Sequence, residues 1–220
     1  MSYTGVVVPG GPSDVRRLGG LTVRKVSVGD VDNCCYLLTC ATTGEQLLID
    51  AAADAPRLLA LVAEGGGGLA KILTTHRHWD HHRALAALAN ATAATTLAGV
   101  NDADAIPARI DVRLRHADVV RVGEQSLDVI ELRGHTPGSV AVAWTEPGGR
   151  VHLFSGDSLF PGGVGNTQGD PERFAQLLSD VEQRVFAVYR DDTWVYPGHG
   201  ADTTLGAERA SLPQWRQRGW

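Results

Sequence analysis

The chain has 220 residues, 43% hydrophobic and 20% charged, enough to bury one substantial core, and it reads as a single domain over 1–220 with a short C-terminal tail. Its formal net charge of -5, with the 20 basic residues scattered, argues against a broad nucleic-acid interface, which needs clustered Lys and Arg. No apolar run approaches the ~18 residues of a membrane span, and the opening Met-Ser-Tyr-Thr-Gly has no secretory-signal pattern, so a cytoplasmic protein is expected.

Residues 1–20 are rich in Gly and Pro and read as an irregular lead-in. From Leu21 to Val28 apolar and polar residues alternate with period two, as in a half-buried strand. Strands at 35–39 and 46–49 follow, joined by a turn at Thr43-Gly44. Cys34, Cys35 and Cys40 fall in this stretch; adjacent cysteines pair poorly and the count is odd, so they read as strand packing in a reducing compartment. Asp50 stops the third strand, and 52–63 has helical spacing, ended by the glycine run 65–68. That run is no phosphate loop, because Lys71 is followed by Ile72 and a strand over 71–74 rather than by Ser or Thr and a helix. A helix over 81–91 and a strand over 94–98 precede a polar excursion, 101–117. Strands then recur at 119–122, 127–133, 139–144 and 151–154. Asp170-Pro171-Glu172 is a helix start, with a capping oxygen, a proline in the first turn and an acid at the positive helix end; this helix should run to about Val185. A last strand at 192–195 and a short helical tail beyond 197–200 complete a pattern of two packed sheets with helices outside, an α/β fold.

The strongest chemical signal is Thr75-His76-Arg77-His78-Trp79-Asp80-His81-His82, directly after the strand at 71–74. Buried imidazoles each need a partner, so a core would not select this run, whereas imidazole nitrogen and carboxylate oxygen suit zinc and similar divalent ions. His76 and His78 can face one way out of the strand, and Asp80 and His81 can reach a second point after the chain reverses. Three further residues repeat one placement: His135 in Gly134-His135-Thr136-Pro137-Gly138, Asp157 in Ser155-Gly156-Asp157-Ser158, and His199 in Pro197-Gly198-His199-Gly200. Each follows a strand and is flanked by glycine, which permits tight turns and close backbone approach. His82 reads as a surface or helix-packing residue, and His116 and His152 receive no role.

These motifs resemble those of the metallo-β-lactamase superfamily, most nearly its glyoxalase II-like branch, over about residues 20–200. The resemblance implies a four-layer αββα sandwich with two metals along one edge of the sheets. By the same resemblance His76, His78 and His135 would hold the first ion, Asp80, His81 and His199 the second, with Asp157 bridging both and Asp50 supporting the ligands from behind. The ions would be divalent, zinc foremost, with iron or manganese also accepted by such ligands. A pair of ions about 3.5–4 Å apart would hold an acidified water, and the resulting hydroxide would attack a small-molecule thioester or ester carbonyl. A lactonase uses the same two metals. Persulfide dioxygenases share the fold and look similar around His76, His135 and Asp157, but use one iron and oxygen. The tail 201–220 is too short to copy the helical domain of full-length glyoxalase II, and Gly163-Val164-Gly165-Asn166 stands where the family often has Gly-Cys-Gly-Arg, which puts glutathione specificity in doubt. Trp215 and Trp220 are expected to pack somewhere, on the site mouth or in a dimer contact, and the oligomeric state is open.

Overall fold

The computed structural model describes residues 3–219; Met1, Ser2 and Trp220 lie outside the described residues. The first sheet takes its seven strands in chain order: β1 (Asp14–Arg17), β2 (Leu21–Val28), β3 (Asn33–Cys40), β4 (Gln46–Ile49), β5 (Leu69–Thr74), β6 (Thr95–Gly99) and β7 (Val112–Leu114). Neighbours are antiparallel as far as β4, where short turns join them. From β4 to β7 they are parallel, because helix α1 (Ala55–Glu64), then α2 (Leu85–Thr92), then a long loop carries the chain back each time.

The second sheet is built by β8 (Val119–Val122), β9 (Gln125–Glu131), β10 (Val140–Thr145) and β11 (Val151–Gly156) as an antiparallel meander. A small hairpin, β12 (Leu159–Phe160) with β13 (Gly163–Val164), and helix α3 (Pro171–Val181) then lead to β14 (Trp194–Pro197), which lies parallel to β11. β15 (Thr203–Thr204) closes that edge, and α4 (Leu205–Arg209) and α5 (Leu212–Arg218) end the described chain.

The period-two pattern decides which face each strand residue covers, and three apolar clusters record the outcome. Val140, Val142 and Trp144 of β10 meet Leu21, Tyr36, Leu38 and Ile49 of the first sheet between the sheets. The intervening Ala141 and Ala143 point outward to Phe174, Leu177 and Val181 of α3 and to Trp215 of α5. On the opposite outer face Val26, Leu37, Leu48 and Ile72 pack against Leu58 and Leu61 of α1 and Leu85 and Leu88 of α2. Three apolar seams make four layers, the αββα sandwich. The cysteines follow the same alternation: Cys34 and Cys40 face the inter-sheet seam, Cys35 the helices, and all three are free thiols.

Several elements differ from the sequence reading. The lead-in contains β1, whose Asp-Val-Arg-Arg has no apolar period and becomes a strand only by pairing with β2 at the sheet edge, where charge is tolerated. The polar excursion contains β7, a three-residue edge strand paired to β6. The helix read from His81 begins at Leu85, because Trp79–His81 forms a 3₁₀ turn that aims His81 inward. The helix capped by Asp170 ends at Val181 and continues as a π turn over Glu182–Phe186. Trp215 is buried, in an edge-on contact with Phe186 at 6.3 Å between ring centres, under the second sheet rather than at a site mouth.

Candidate metal centre

Strand direction brings the chemistry to one edge. β4 and β5 are parallel, so Asp50 and the segment 75–82 leave the first sheet at the same end. In the second sheet β9 and β11 are both antiparallel to β10, and β14 is parallel to β11, so the loops carrying His135, Asp157 and His199 also emerge together. The two edges are stitched where the Val140 N–H donates to the Thr75 carbonyl, 2.8 Å, and the Cys34 N–H to that of Gly198, 2.8 Å.

The seven residues singled out in the sequence converge on two adjoining points. His76, His78 and His135 form one group of ligand-type atoms; Asp80, His81 and His199 form another; Asp157 joins His76 and His81 in a third. His76 Nε2 lies 3.1 Å from His78 Nδ1 and 3.3 Å from His135 Nε2. His81 Nε2 lies 3.2 Å from His199 Nε2, and each of the two is 3.5 Å from Asp80 Oδ2. Asp157 turns Oδ1 toward His81, 3.4 Å, and Oδ2 toward His199, 3.5 Å, and His135, 3.6 Å, so its carboxylate stands between the two groups.

These separations fit ligands around an ion. Four donors at zinc–nitrogen distance in a tetrahedron are about 3.3 Å apart. They do not fit ordinary hydrogen bonds, because in four of the five rings the other nitrogen is already committed. The Nδ1–H of His135 donates to the Asn166 carbonyl and that of His199 to the Val31 carbonyl, both at 2.8 Å. That of His81 donates to Asp50 Oδ2, 2.8 Å. Thr75 Oγ1 donates to Asp50 Oδ2, 2.8 Å, and so accepts from His76 Nδ1, 3.0 Å. Each neutral ring then presents an Nε2 lone pair, and two such pairs facing across 3.2 Å need a cation or a proton between them. Asp157 Oδ1 is buried without a hydrogen-bond partner, a further sign that its ligand is not another side chain. The donor set fits two divalent ions.

Electrostatics point the same way. Burial opposes charge on His81, but Asp157 and Asp50 hold its pKa well above the usual value. Burial likewise opposes charge on His199, which Asp157 and Asp80 push up to about 10. Burial would raise Asp157, yet His81 and His199 hold it well below the usual carboxylate range; against the same penalty His199 and His81 lower Asp80. His76 is held far down by burial and by His81, and burial also lowers His78 and His135. Protons on His81 and His199 thus stand in for positive charge that the carboxylates demand, and a bound ion would displace them.

Asp50 sits at the end of β4 with φ of 58°, a left-handed conformation that Asp tolerates. It also accepts from the Thr75 N–H at 2.7 Å, so one buried carboxylate orients His81 directly and His76 through Thr75. Gly198 matters for space: a Cβ there would lie 2.1 Å from Asp157 Oδ1. His82 braces the loop through the Arg77 carbonyl, 3.1 Å, and is no member of the three groups. His116 is exposed, and His152 is buried against Trp144 and Tyr196.

Sequence reasoning missed Asn33. It opens β3 fully buried, with its amide nitrogen 3.0 Å from Asp80 Oδ2 and 3.5 Å from both His81 Nε2 and His199 Nε2. The only local hint was one amide at the head of an apolar strand. The supporting carbonyls of Val31 and Asn166 carry no side-chain signal at all.

A family model described as the metallo-beta-lactamase superfamily matches residues 28–199. The hydroxyacylglutathione hydrolase of Polaromonas sp. (strain JS666) is 36% identical over 182 residues, 81% of this chain and 66% of that protein. That of Cereibacter sphaeroides (strain ATCC 17025) is 34% identical over 169 residues, 76% of this chain and 62% of the relative. The chain therefore spans just under two thirds of the length of these curated relatives. Among solved structures, ETHE1 from Myxococcus xanthus is similar with a TM-score of 0.77 at 30% identity, covering 89% of this chain and 84% of its own. TTHA1623 in a di-iron-bound form gives 0.71 at 32%, covering 86% and 98%.

Proposed function

We propose that this chain, which belongs to the metallo-β-lactamase superfamily, is a hydrolase that uses two divalent ions to cleave a small-molecule thioester of the hydroxyacylglutathione type. The observation that carries the reading is the meeting of two ligand groups at one buried carboxylate, Asp157. His76, His78 and His135 would hold one ion, Asp80, His81 and His199 the other. The di-iron-bound relative supports two ions rather than one, and zinc, iron or manganese all suit these donors. Ions bound there supply a nucleophile at neutral pH and polarise the carbonyl under attack.

The protein's own part is preorganisation. Asp50, Thr75 and the carbonyls of Val31 and Asn166 lock four imidazole rings in one tautomer, so every Nε2 faces inward before any ion or substrate arrives. Asp157 Oδ1 and Oδ2 face different histidines, which sets the spacing of the two positions. A thiolate leaves without much acid help, which suits a site whose five histidines would all serve as ligands. Location in the cytoplasm belongs to the same proposal and rests on three free buried thiols. Among the described residues no helix is long and apolar enough to cross a membrane.

The test is turnover on hydroxyacyl thioesters of glutathione, of coenzyme A and of a plain small thiol, beside a lactone. Thioester cleavage abolished by chelation and restored by zinc or iron is the expected result. Preference among the thiols then identifies the carrier. Turnover of the lactone alone would transfer the reading to a lactonase, and oxygen consumption with a persulfide in place of hydrolysis would overturn it.

A further inference from the structure

Outside the ligand groups Asp102 is a carboxylate with no exposed surface and no role so far. It lies just beyond β6, in the stretch that reads from sequence as a polar excursion. Its Oδ2 accepts from the Arg77 N–H at 3.0 Å, and Arg77 is the residue between His76 and His78. The same oxygen takes a short hydrogen bond from Thr136 Oγ1, and Oδ1 accepts from the Gly138 N–H at 2.9 Å. Thr136 directly follows His135. Among the described residues its ion-pair partner within 4 Å is the Arg77 side chain, with Nε at 3.9 Å. Burying a charge with so weak a counter-charge is costly unless backbone and hydroxyl donors satisfy it, as they do here.

The segments carrying Asp102 and Gly138 are held in backbone contact. A Cβ on Gly99 would lie 2.0 Å from the Gly138 carbonyl oxygen, and one on Gly138 would lie 2.4 Å from the Asp102 nitrogen. Thr136 Oγ1 also lies 2.6 Å from Ser139 Oγ, which continues the network toward β10. No ligand of the second group is touched: Asp80, His81 and His199 take their support from Asp50, Asn33 and Val31 instead.

Building on the two-ion reading, we infer that Asp102 is a positioning residue for the first ion: it clamps the peptide between His76 and His78, from one sheet, to the turn behind His135, from the other. The three imidazoles of that position come from two loops with no covalent tie, and Asp102 fixes their separation. Replacing the carboxylate by an amide breaks the clamp without changing its size. An amide keeps one acceptor, so either the Gly138 N–H or the donors from Arg77 and Thr136 face an NH₂ group.

The experiment is zinc binding to the full chain, stripped and then titrated in competition with a chromophoric chelator so that two steps resolve. His78→Ala and His199→Ala assign the steps to the first and second positions. Asp102→Asn is expected to weaken the first step by about 10–100-fold and leave the second within about threefold. Asp111→Asn is the control. Asp111 holds the same connection to β6 through the Thr96 N–H, 3.0 Å, and Thr96 Oγ1, 2.9 Å, without touching a ligand loop. It should lower the melting temperature of the stripped protein and leave both steps unchanged. If Asp102→Asn does not fold, Thr136→Val removes one donor of the clamp and should weaken the first step alone. Unchanged binding in the Asp102 variant, or equal weakening of both steps in the Asp102 and Asp111 variants, would overturn the inference while leaving the two-ion reading intact. A parent chain that binds no zinc would overturn the two-ion reading first, and this one with it.

Discussion

The two sheets deliver their ligands in different ways. The first sheet supplies His76, His78, Asp80 and His81 from one short segment leaving β5, shaped by a 3₁₀ turn and by Asp50 behind it. The second supplies His135, Asp157 and His199 from three loops that are distant in sequence and meet only because β9, β11 and β14 run the same way. Local geometry thus guarantees the first set, whereas the second depends on tertiary structure: carbonyls of Asn166 and Val31 fix its rings, and the bare backbone at Gly198 leaves room for Asp157. The second set should therefore fail residue by residue, and the first as a unit.

Asp157, which serves both ion positions, should show the largest effect. Asp157→Ala is expected to lower kcat/KM by about 10³-fold or more and to deplete both ions, whereas His135→Ala depletes one. Turnover and elemental analysis of the two variants side by side test this, and full metal content in the Asp157 variant would break the bridging assignment. Next comes Gly198→Ala, whose added methyl must push Asp157 or His81 aside; a displacement near 1 Å costs about 10²-fold in rate. Substitution of Gly68, whose Cβ would meet nothing and whose φ is not positive, should leave turnover unchanged.

Asp50→Asn probes the first set as a unit. Because Asp50 supports His81 directly and His76 through Thr75, metal affinity should fall about 10–100-fold, with the second position losing more. Chelator competition measures it, and loss confined to the first position would contradict the geometry. The smallest effect lies outside the centre. Burial, then Arg16 and Arg150, push the pKa of His152 down to about 3, so it stays neutral in the fold while the unfolded chain takes up a proton below about 6.5. Stability should therefore fall as pH drops from about 6.5 toward 3. His152→Phe should remove on the order of 1 kcal/mol of the difference between urea unfolding at pH 7 and pH 5. An unchanged acid slope would remove His152 from the account.

The same contrast explains what could be read from the sequence. The cluster at 75–82 was visible because its ligands are neighbours, and the sandwich because period-two alternation marks both faces of strands such as β2 and β10. His135, Asp157 and His199 became convincing only together, since a lone residue beside glycine is ordinary. Edge strands β1 and β7 escaped because pairing rather than composition makes them strands. Asn33 and Asp102 escaped for a related reason: an amide heading β3 and an acid in a polar loop gain their meaning from partners 47 and 25 residues away.

The central claim is a dinuclear centre bridged by Asp157, and metal content per chain tests it most directly. Protein purified without added metal and measured by elemental mass spectrometry should carry close to two equivalents of zinc, iron or a mixture, in step with thioesterase activity. One equivalent of iron, or full activity in a chain without metal, would contradict it.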